Sequence, residues 1–447
     1  MAKGLLQPMT RRSSMLVLLE TSLILGAVIA GARVVVGPNA WRMATGQAML
    51  AKSLLIVFVC QCCLYYTDHY DDPRADGNQL QLLARLLQAL GATALILSGL
   101  YFRFPNLIIE RGVFAVAAIL VTAAVIAWRV TFWWASRRMG PRERLLIVGA
   151  SPTAIDLARE LHRRFDLGVE IVGFVNPVAD IQAIVRARDV HSVVVDLQDA
   201  RGKLPMAQLL DMRLDGITFA HLASVYEEYT GKIAVENLRP SWFIFSSGFR
   251  NTRSLQVAKR AVDVVASSIG LICASPFLVV LAALIKATSK GPVLYSQQRV
   301  GEHGCPFTLY KLRTMRADAE ATTGPVWSRP SDNRVTRIGR VLRSTRLDEL
   351  PQLWNVLIGD MSLIGPRPER PEFVNELTKQ IPFYGQRHVI KPGLSGWAQV
   401  RYRYGSSVED AMQKLQYDLF YVKHMSISMD LVIMCETLKT MVLHRGR

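Results

Sequence analysis

Asp348 and Glu349 stand side by side in the stretch LDELPQ, in a chain that is otherwise strongly basic. Arg340, Arg343 and Arg346 come immediately before the pair, and Gly365, Pro366, Arg367 and Pro368 follow as a proline-stiffened turn that presents another arginine. LDELPQLWNVLIG reads as a short helix with Pro351 in its first turn, where a missing N–H costs nothing. The two acids then fall at or just before a helix N-terminus, where free N–H groups and the dipole favour anions. Two acids in such a place are commonly a helix cap. With arginines on both sides they are expected to stay ionised at neutral pH, and either can attack phosphorus or hold Mg²⁺ on a diphosphate. Capping and phosphoryl chemistry both remain open on these residues alone.

The charge around the pair is local. Residues 250–346 hold 16 Lys and Arg against 5 Asp and Glu, which is +11 of the chain's +17. Within them RVTRIGRVLRSTR repeats arginine every third position while Val335, Ile338 and Leu342 keep an apolar stripe, so an amphipathic helix with a basic side is expected. Such a side can lie on anionic headgroups or present guanidinium forks to phosphates. Nucleic acid is excluded as a partner, because a chain with positive mean hydropathy and few, scattered aromatics offers no base-stacking platform.

The elements that carry this region are membrane-like. Four apolar segments, 15–36, 49–66, 82–102 and 113–134, are each about long enough to cross the ~30 Å hydrocarbon layer. Trp41, Tyr65, Tyr66, Tyr101, Trp133 and Trp134 lie near their ends, as interfacial anchors do. Lys3, Arg11 and Arg12 precede the set and Arg137, Arg138, Arg142 and Arg144 follow it, which puts both ends in the cytoplasm. The loop DHYDDPRADGN adds one arginine and does not decide topology. The first run is read as a retained anchor, since no small-residue cleavage site follows it. Cys60, Cys62 and Cys63 in VCQCC have no histidine beside them and read as helix-facing thiols.

An α/β unit follows: strand LLIVGA, helix AIDLARELHRRF, strands VEIVGFV and HSVVVDL, and more strand signal at GITFAHL. Of a dinucleotide fingerprint G-x-G-x-x-G, GASPTA has only Gly149, with Ser151 and Thr153 near the missing glycines, so a structural or regulatory role is expected in place of cofactor binding. A fifth apolar run, 261–285, has Pro276 in its middle, so a kink or break is expected at Ser275 and Pro276. Lys259 and Arg260 precede it and Lys286 and Lys290 follow, so both flanks favour the same face, and a re-entrant hairpin satisfies both features.

Five stretches in order, KRAVDVVASSIGLICASPFLVV, YKLRTM, LDELPQLWNVLIGDMSLIGPRP, KPGLSGWAQV and YDLFYVKHMS, resemble the bacterial sugar transferases, the monotopic polyprenyl-phosphate phosphoglycosyl transferases. The likeness is strong over residues 255–447, and the N-terminal half resembles the large membrane-anchored members. The expected fold is a membrane protein, α plus α/β: a four-helix transmembrane region (1–140), a degenerate Rossmann-like domain (141–250), and a re-entrant membrane helix with a mainly helical α/β catalytic domain (251–447).

The resemblance implies an enzyme that passes sugar 1-phosphate from a UDP-sugar to a polyprenyl phosphate, usually undecaprenyl phosphate, releasing UMP. Such a step begins exopolysaccharide, capsule or O-antigen synthesis at the cytoplasmic face of the bacterial inner membrane. It implies that Asp348 is the nucleophile, forming a phosphosugar aspartyl intermediate, with Glu349 its partner acid and Mg²⁺ near Asp348. Lys311, Arg313, Arg343 and Arg367 match the family's basic positions, and the loop from Gly393 to Trp397 matches one near the nucleotide. Many members continue GWAQV into Asn-Gly where this chain has RYRYGSS, so sugar selectivity does not carry over. A homodimer is left open. The alternatives are a nucleotide-sugar dehydratase or epimerase, for which GASPTA lacks the glycines, and a non-enzymatic scaffold of polysaccharide assembly, against which the intact Asp348, Glu349 and Arg367 speak.

Overall fold

The computed structural model describes residues 11–37, 47–66, 79–108, 112–139, 143–163, 169–176, 181–196, 206–238, 240, 243, 246, 248–249, 252–316, 334–402, 405 and 407–442. Lys3, Trp41, Arg142, the 68–78 loop, and Arg403, Tyr404 and Ser406 of RYRYGSS lie outside them. The described residues divide into two compact units, 11–222 and 223–442.

The first unit begins with four apolar helices, α1 (Arg11–Val36), α2 (Gln47–Tyr66), α3 (Gln79–Arg103) and α4 (Val113–Met139). Val17–Val35 and Leu86–Arg103 are long and apolar enough to cross a membrane, while Leu50–Tyr66 and Val113–Trp128 are shorter apolar stretches. Ile24, Val28, Val57, Leu64, Leu97, Val121 and Val125 form a shared core, and Cys60 and Cys63 are buried in it. Gly31 lets α1 approach α4, since a Cβ there would stand 3.0 Å from the Ala117 nitrogen.

The α/β part alternates β1 (Glu143–Val148), α5 (Pro152–Arg163), β2 (Val169–Val175), α6 (Ile181–Ala187), β3 (Ser192–Val195), α7 (Met206–Leu214) and β4 (Thr218–His221). All strands pair in parallel in the order 2-1-3-4, so the chain reverses direction across the sheet between β1 and β3. In doubly wound folds ligands bind at such a reversal, beyond the strand ends. Here Gly149 takes a left-handed φ of +109, and a Cβ on it would come within 2.8 Å of the Asp196 Cβ. The glycine makes room for a carboxylate-bearing residue of β3, and Ser151 Oγ accepts from Ala154 N at the start of α5.

The second unit opens with α8 (Leu222–Thr230) and α9 (Arg253–Thr288), followed by the antiparallel hairpin β5 (Leu294–Val300) and β6 (Pro306–Leu312). Then come α10 (Arg337–Thr345), α11 (Gln352–Ile358), β7 (Ser362–Ile364), α12 (Pro371–Gln380), β8 (Gly393–Ser395), α13 (Trp397–Arg401), α14 (Val408–His424) and α15 (Ile427–Val442). Residues 223–238, expected to belong to the Rossmann-like domain, pack on the C-terminal helices. Ile233 and Val235 share a core with Leu415 and Leu419, and Glu227 pairs with Lys423 and His424 at 2.7 and 2.6 Å.

The break expected at Ser275 and Pro276 is absent: α9 is one helix of 36 residues with Pro276 inside it. Proline removes the N–H that Ile272 O would accept. The Ser275 hydroxyl donates to that carbonyl at 2.8 Å, replacing the lost bond and letting the helix run on. At 1.5 Å per residue its contour is about 54 Å, well beyond the ~30 Å hydrocarbon layer. One face is fastened to the rest of the unit along most of its length. Arg260 donates to Val356 O and Leu357 O, both at 2.7 Å, and Asp263 accepts from Leu363 N and the Ser362 hydroxyl. Gly270 faces Leu353, and Leu278, Leu281 and Ile285 pack with Leu312 and Leu342. The opposite face exposes Val265, Ile269, Ile272, Phe277 and Val280.

Candidate active site

Three local devices set the acid pair. Helix α10 starts at Thr336, whose side chain accepts from Gly339 N at 2.9 Å, and ends at Arg346 in the left-handed region at φ 57. That reversal starts a separate 3-10 turn, Leu347–Glu349, before Pro351 opens α11. Asp348 and Glu349 therefore lie in a turn of their own just before α11, in keeping with the expected place at or just before that helix start. Asn355, fully buried on α11, accepts from Tyr310 N at 3.1 Å and donates to Thr308 O at 2.7 Å, locking α11 to β6. That lock brings Lys311, near the end of β6, to the turn.

The two acids occupy different environments. Glu349 Oε1 accepts from Arg367 at 2.7 Å and from Lys311 at 3.2 Å, and Arg346 lies 3.9 Å from Oε2. Burial alone would push Glu349 up, but the cations of Arg367, Lys311 and Arg346 outweigh it and hold its carboxyl well below the usual carboxylate range. Asp348 is also buried, yet its side chain makes no hydrogen bond or ion pair among the described residues. Burial and the neighbouring Glu349 charge push its carboxyl up, with Lys311, Arg343 and Arg367 pulling against them. The cations hold Glu349 ionised, while Asp348 beside it has a raised proton affinity. Burial likewise lowers Lys311, with Glu349 opposing.

Of the expected basic residues, Lys311 and Arg367 meet at Glu349, and the Arg343 charge acts on Asp348 while its Nε donates to Thr314 Oγ1 at 2.9 Å. Arg313 points elsewhere. Its guanidinium donates to Lys290 O at 3.0 Å, and to Ser289 O and Oγ at 2.9 and 2.7 Å, closing the end of α9. Gly393 serves backbone packing: its N–H donates to Pro366 O at 2.9 Å, and a Cβ there would overlap Gly365 N. Trp397 is 3% exposed, donates to Gly231 O at 3.0 Å and has the Arg401 guanidinium 4.5 Å over its ring, so it belongs to the core. Ser275 and Pro276 lie within α9. Sequence reasoning missed Asn355 and Asp263 and read Arg260 only as a flanking charge; a lone Asn in the apolar run LWNVL was the available signal for the first.

Among the described residues no group of three or more His, Cys, Asp or Glu could hold a metal ion. Glu349 is taken up by cations, which leaves Asp348 as the carboxylate at the turn for a divalent cation. A Mg²⁺ bound chiefly by a diphosphate needs only one or two carboxylates, and Asp348 fits that limited demand.

A turn that pairs one cation-locked and one unpaired carboxylate, on a helical domain fastened to a long apolar helix, is matched by one family model. Residues 254–444 match the model described as bacterial sugar transferase. The chain is 39% identical over 222 residues to the UDP-N-acetylgalactosamine-undecaprenyl-phosphate N-acetylgalactosaminephosphotransferase of Aeromonas hydrophila, covering 50% of this chain and 52% of that one. It is 32% identical over 343 residues to the UDP-glucose:undecaprenyl-phosphate glucose-1-phosphate transferase of Klebsiella pneumoniae, covering 71% of each. The protein of the same description from Escherichia coli K12 is 32% identical over 322 residues, covering 66% of this chain and 67% of that one. The chain belongs to the bacterial sugar transferase family.

Proposed function

We propose that this enzyme transfers sugar 1-phosphate from a UDP-sugar to undecaprenyl phosphate, releasing UMP and starting a bacterial surface polysaccharide. The observation that carries the reading is the division between the acids: Glu349 is held by Lys311 and Arg367, while Asp348 beside it has no side-chain partner among the described residues. A nucleophile must be free to approach phosphorus, and phosphoryl transfer otherwise asks for fixed positive charge. An Asp348 oxygen attacks the β-phosphorus, the bond to the bridging oxygen breaks, and UMP leaves with that oxygen. A phosphate oxygen of the lipid then attacks the phosphorus of the aspartyl phosphosugar, forming the lipid diphosphate-sugar and restoring the Asp348 carboxylate. Lys311, Arg343 and Arg367 surround the reacting phosphates with charge that needs no reorganisation, and Glu349 keeps two of them in place. Asp348 is the residue that would hold Mg²⁺, which when bound would supply further charge neutralisation.

Purified protein given Mg²⁺, undecaprenyl phosphate and a donor panel headed by UDP-glucose and UDP-N-acetylgalactosamine is expected to release UMP with at least one donor. Silence across the panel overturns the reading.

In this reading α1 to α4 span the inner membrane, and α9 dips into its cytoplasmic side, bending at Pro276 without interruption so that both ends stay on that face and the catalytic unit stays beside the lipid phosphate. Fastening of α9 from Arg260 to Ile285 supports this, because a helix crossing the bilayer would carry the hairpin strand β6 and the arginine-bearing α10 packed on it into the hydrocarbon layer. In a background with the six native cysteines replaced, Ser254→Cys and Lys290→Cys are expected to react with an impermeant maleimide from the cytoplasmic face alone. Labelling from opposite faces would show a crossing helix.

A further inference from the structure

The turn that carries Arg367 is held by donors from several other elements. Along it, the Tyr421 hydroxyl donates to Ile364 O at 3.3 Å and Gly393 N to Pro366 O at 2.9 Å. Arg387 donates to Arg367 O at 3.0 Å, Arg299 to Pro368 O at 2.9 Å, and Val300 N to Glu369 O at 2.9 Å. Pro368 further restricts the backbone of Arg367. The donor on Arg367 itself is the most elaborately supported. Arg387, 5% exposed, gives one NH group to the Tyr384 hydroxyl at 2.7 Å and pairs through the other with Asp418 at 2.7 Å. Asp418, on α14, is 1% exposed.

A buried ion pair of this kind is a poor source of stability, since desolvation offsets its attraction and apolar residues of similar volume often serve as well. An apolar pair lacks one capacity: it cannot present a rigid fork that reaches a carboxylate, a phenol and a backbone carbonyl together. The carbonyl chosen belongs to the residue whose guanidinium grips Glu349. We infer that Arg387, oriented by Asp418 and Tyr384, is a positioning residue that fixes the backbone of Arg367 and so places its guanidinium on Glu349. The inference rests on the transferase reading, in which Arg367 supplies charge to the reacting phosphates.

The test is a double-mutant cycle on UMP release, with the donor that the unaltered enzyme uses. Arg387→Lys keeps the charge but not the fork, and it and Asp418→Asn are expected to lower kcat by ~10- to 100-fold, with KM for the donor moving less than ~3-fold. In an Arg367→Lys background the same changes should cost less than ~2-fold more, because the group they position is already displaced. Tyr384→Phe removes one hydrogen bond, keeps the ring in the core, and should lose a smaller ~3-fold share, which keeps the cycle readable if the other variants do not fold. Losses that multiply in the double variants, or an Arg387→Lys enzyme with unaltered kcat, overturn the inference while leaving the transferase reading intact. An unaltered enzyme that turns over no donor overturns both.

Discussion

Asp348→Asn is expected to lower UMP release by ~10⁴-fold or more, as loss of a nucleophile does, and to leave the protein at least as stable as before. The two halves of that result have one cause. The folded chain holds Asp348 buried beside the Glu349 charge, which raises its carboxyl above the value in the unfolded chain. The folded state therefore binds this proton more readily than the unfolded state. As pH rises through the unfolded and then the folded value, ionising Asp348 takes stability away. Asparagine keeps the shape and removes the cost. Thermal unfolding of the two proteins at pH 7 should give an equal or higher midpoint for the variant. A clearly lower midpoint would mean that Asp348 is a structural carboxylate and not a reactive one held at a cost.

Glu349→Gln is expected to fail in the opposite sense, losing stability as well as rate. Its carboxylate is 12% exposed and meets Arg367 and Lys311 at 2.7 and 3.2 Å. Removing one partner from such a cluster leaves uncompensated buried charge, typically costing about 3 kcal/mol or more. The pH dependence carries the signature. The folded value of Glu349 lies below the unfolded one, so its contribution is fully present above about pH 4.3, the ordinary glutamate value, and fades as pH falls through the folded value. Stability measured against pH should fall toward acid in the native protein and fall less steeply in the glutamine variant. UMP release should drop by ~10²-fold or more, since Lys311 and Arg367 lose the group that aligns them. A glutamine variant as stable as the native protein, with the same acid limb, would remove Glu349 from this role.

The large features were legible because they are periodic. Arginine every third residue beside Val335, Ile338 and Leu342 announced α10, and alternating apolar runs announced the parallel sheet, although nothing in them carries its order. The acid pair and its arginines could be read as a site, but the division of labour could not, because it turns on which carboxylate faces Lys311 at the end of β6. Lys311 and Asn355 meet there only through pairings between residues 38 and 47 positions apart. Arg313 and Arg367 look alike in sequence as arginines beside a conserved-looking turn or strand pattern, yet one closes α9 and the other grips Glu349. Pro276 was read correctly as a lost hydrogen bond; the serine before it was not read as its replacement. The place of the acids just before a helix start was legible; the left-handed backbone of Arg346, which ends α10 and isolates the acids in a 3-10 turn, was not.

The fastening of α9 also bears on the order in which this protein can be made. Arg260 supplies donors to the last carbonyls of α11, and Asp263 accepts from the Leu363 N–H of β7, 100 residues later. The catalytic unit therefore cannot complete its own hydrogen bonding before this apolar helix is in position, and the helix cannot remain in water while it waits. In the proposed arrangement, insertion and folding are expected to be a single event at the membrane surface, with the nascent chain tethered there until residues past Leu363 have emerged. The family match begins at residue 254, within one residue of the start of α9, as expected of a unit that is inherited with its anchor.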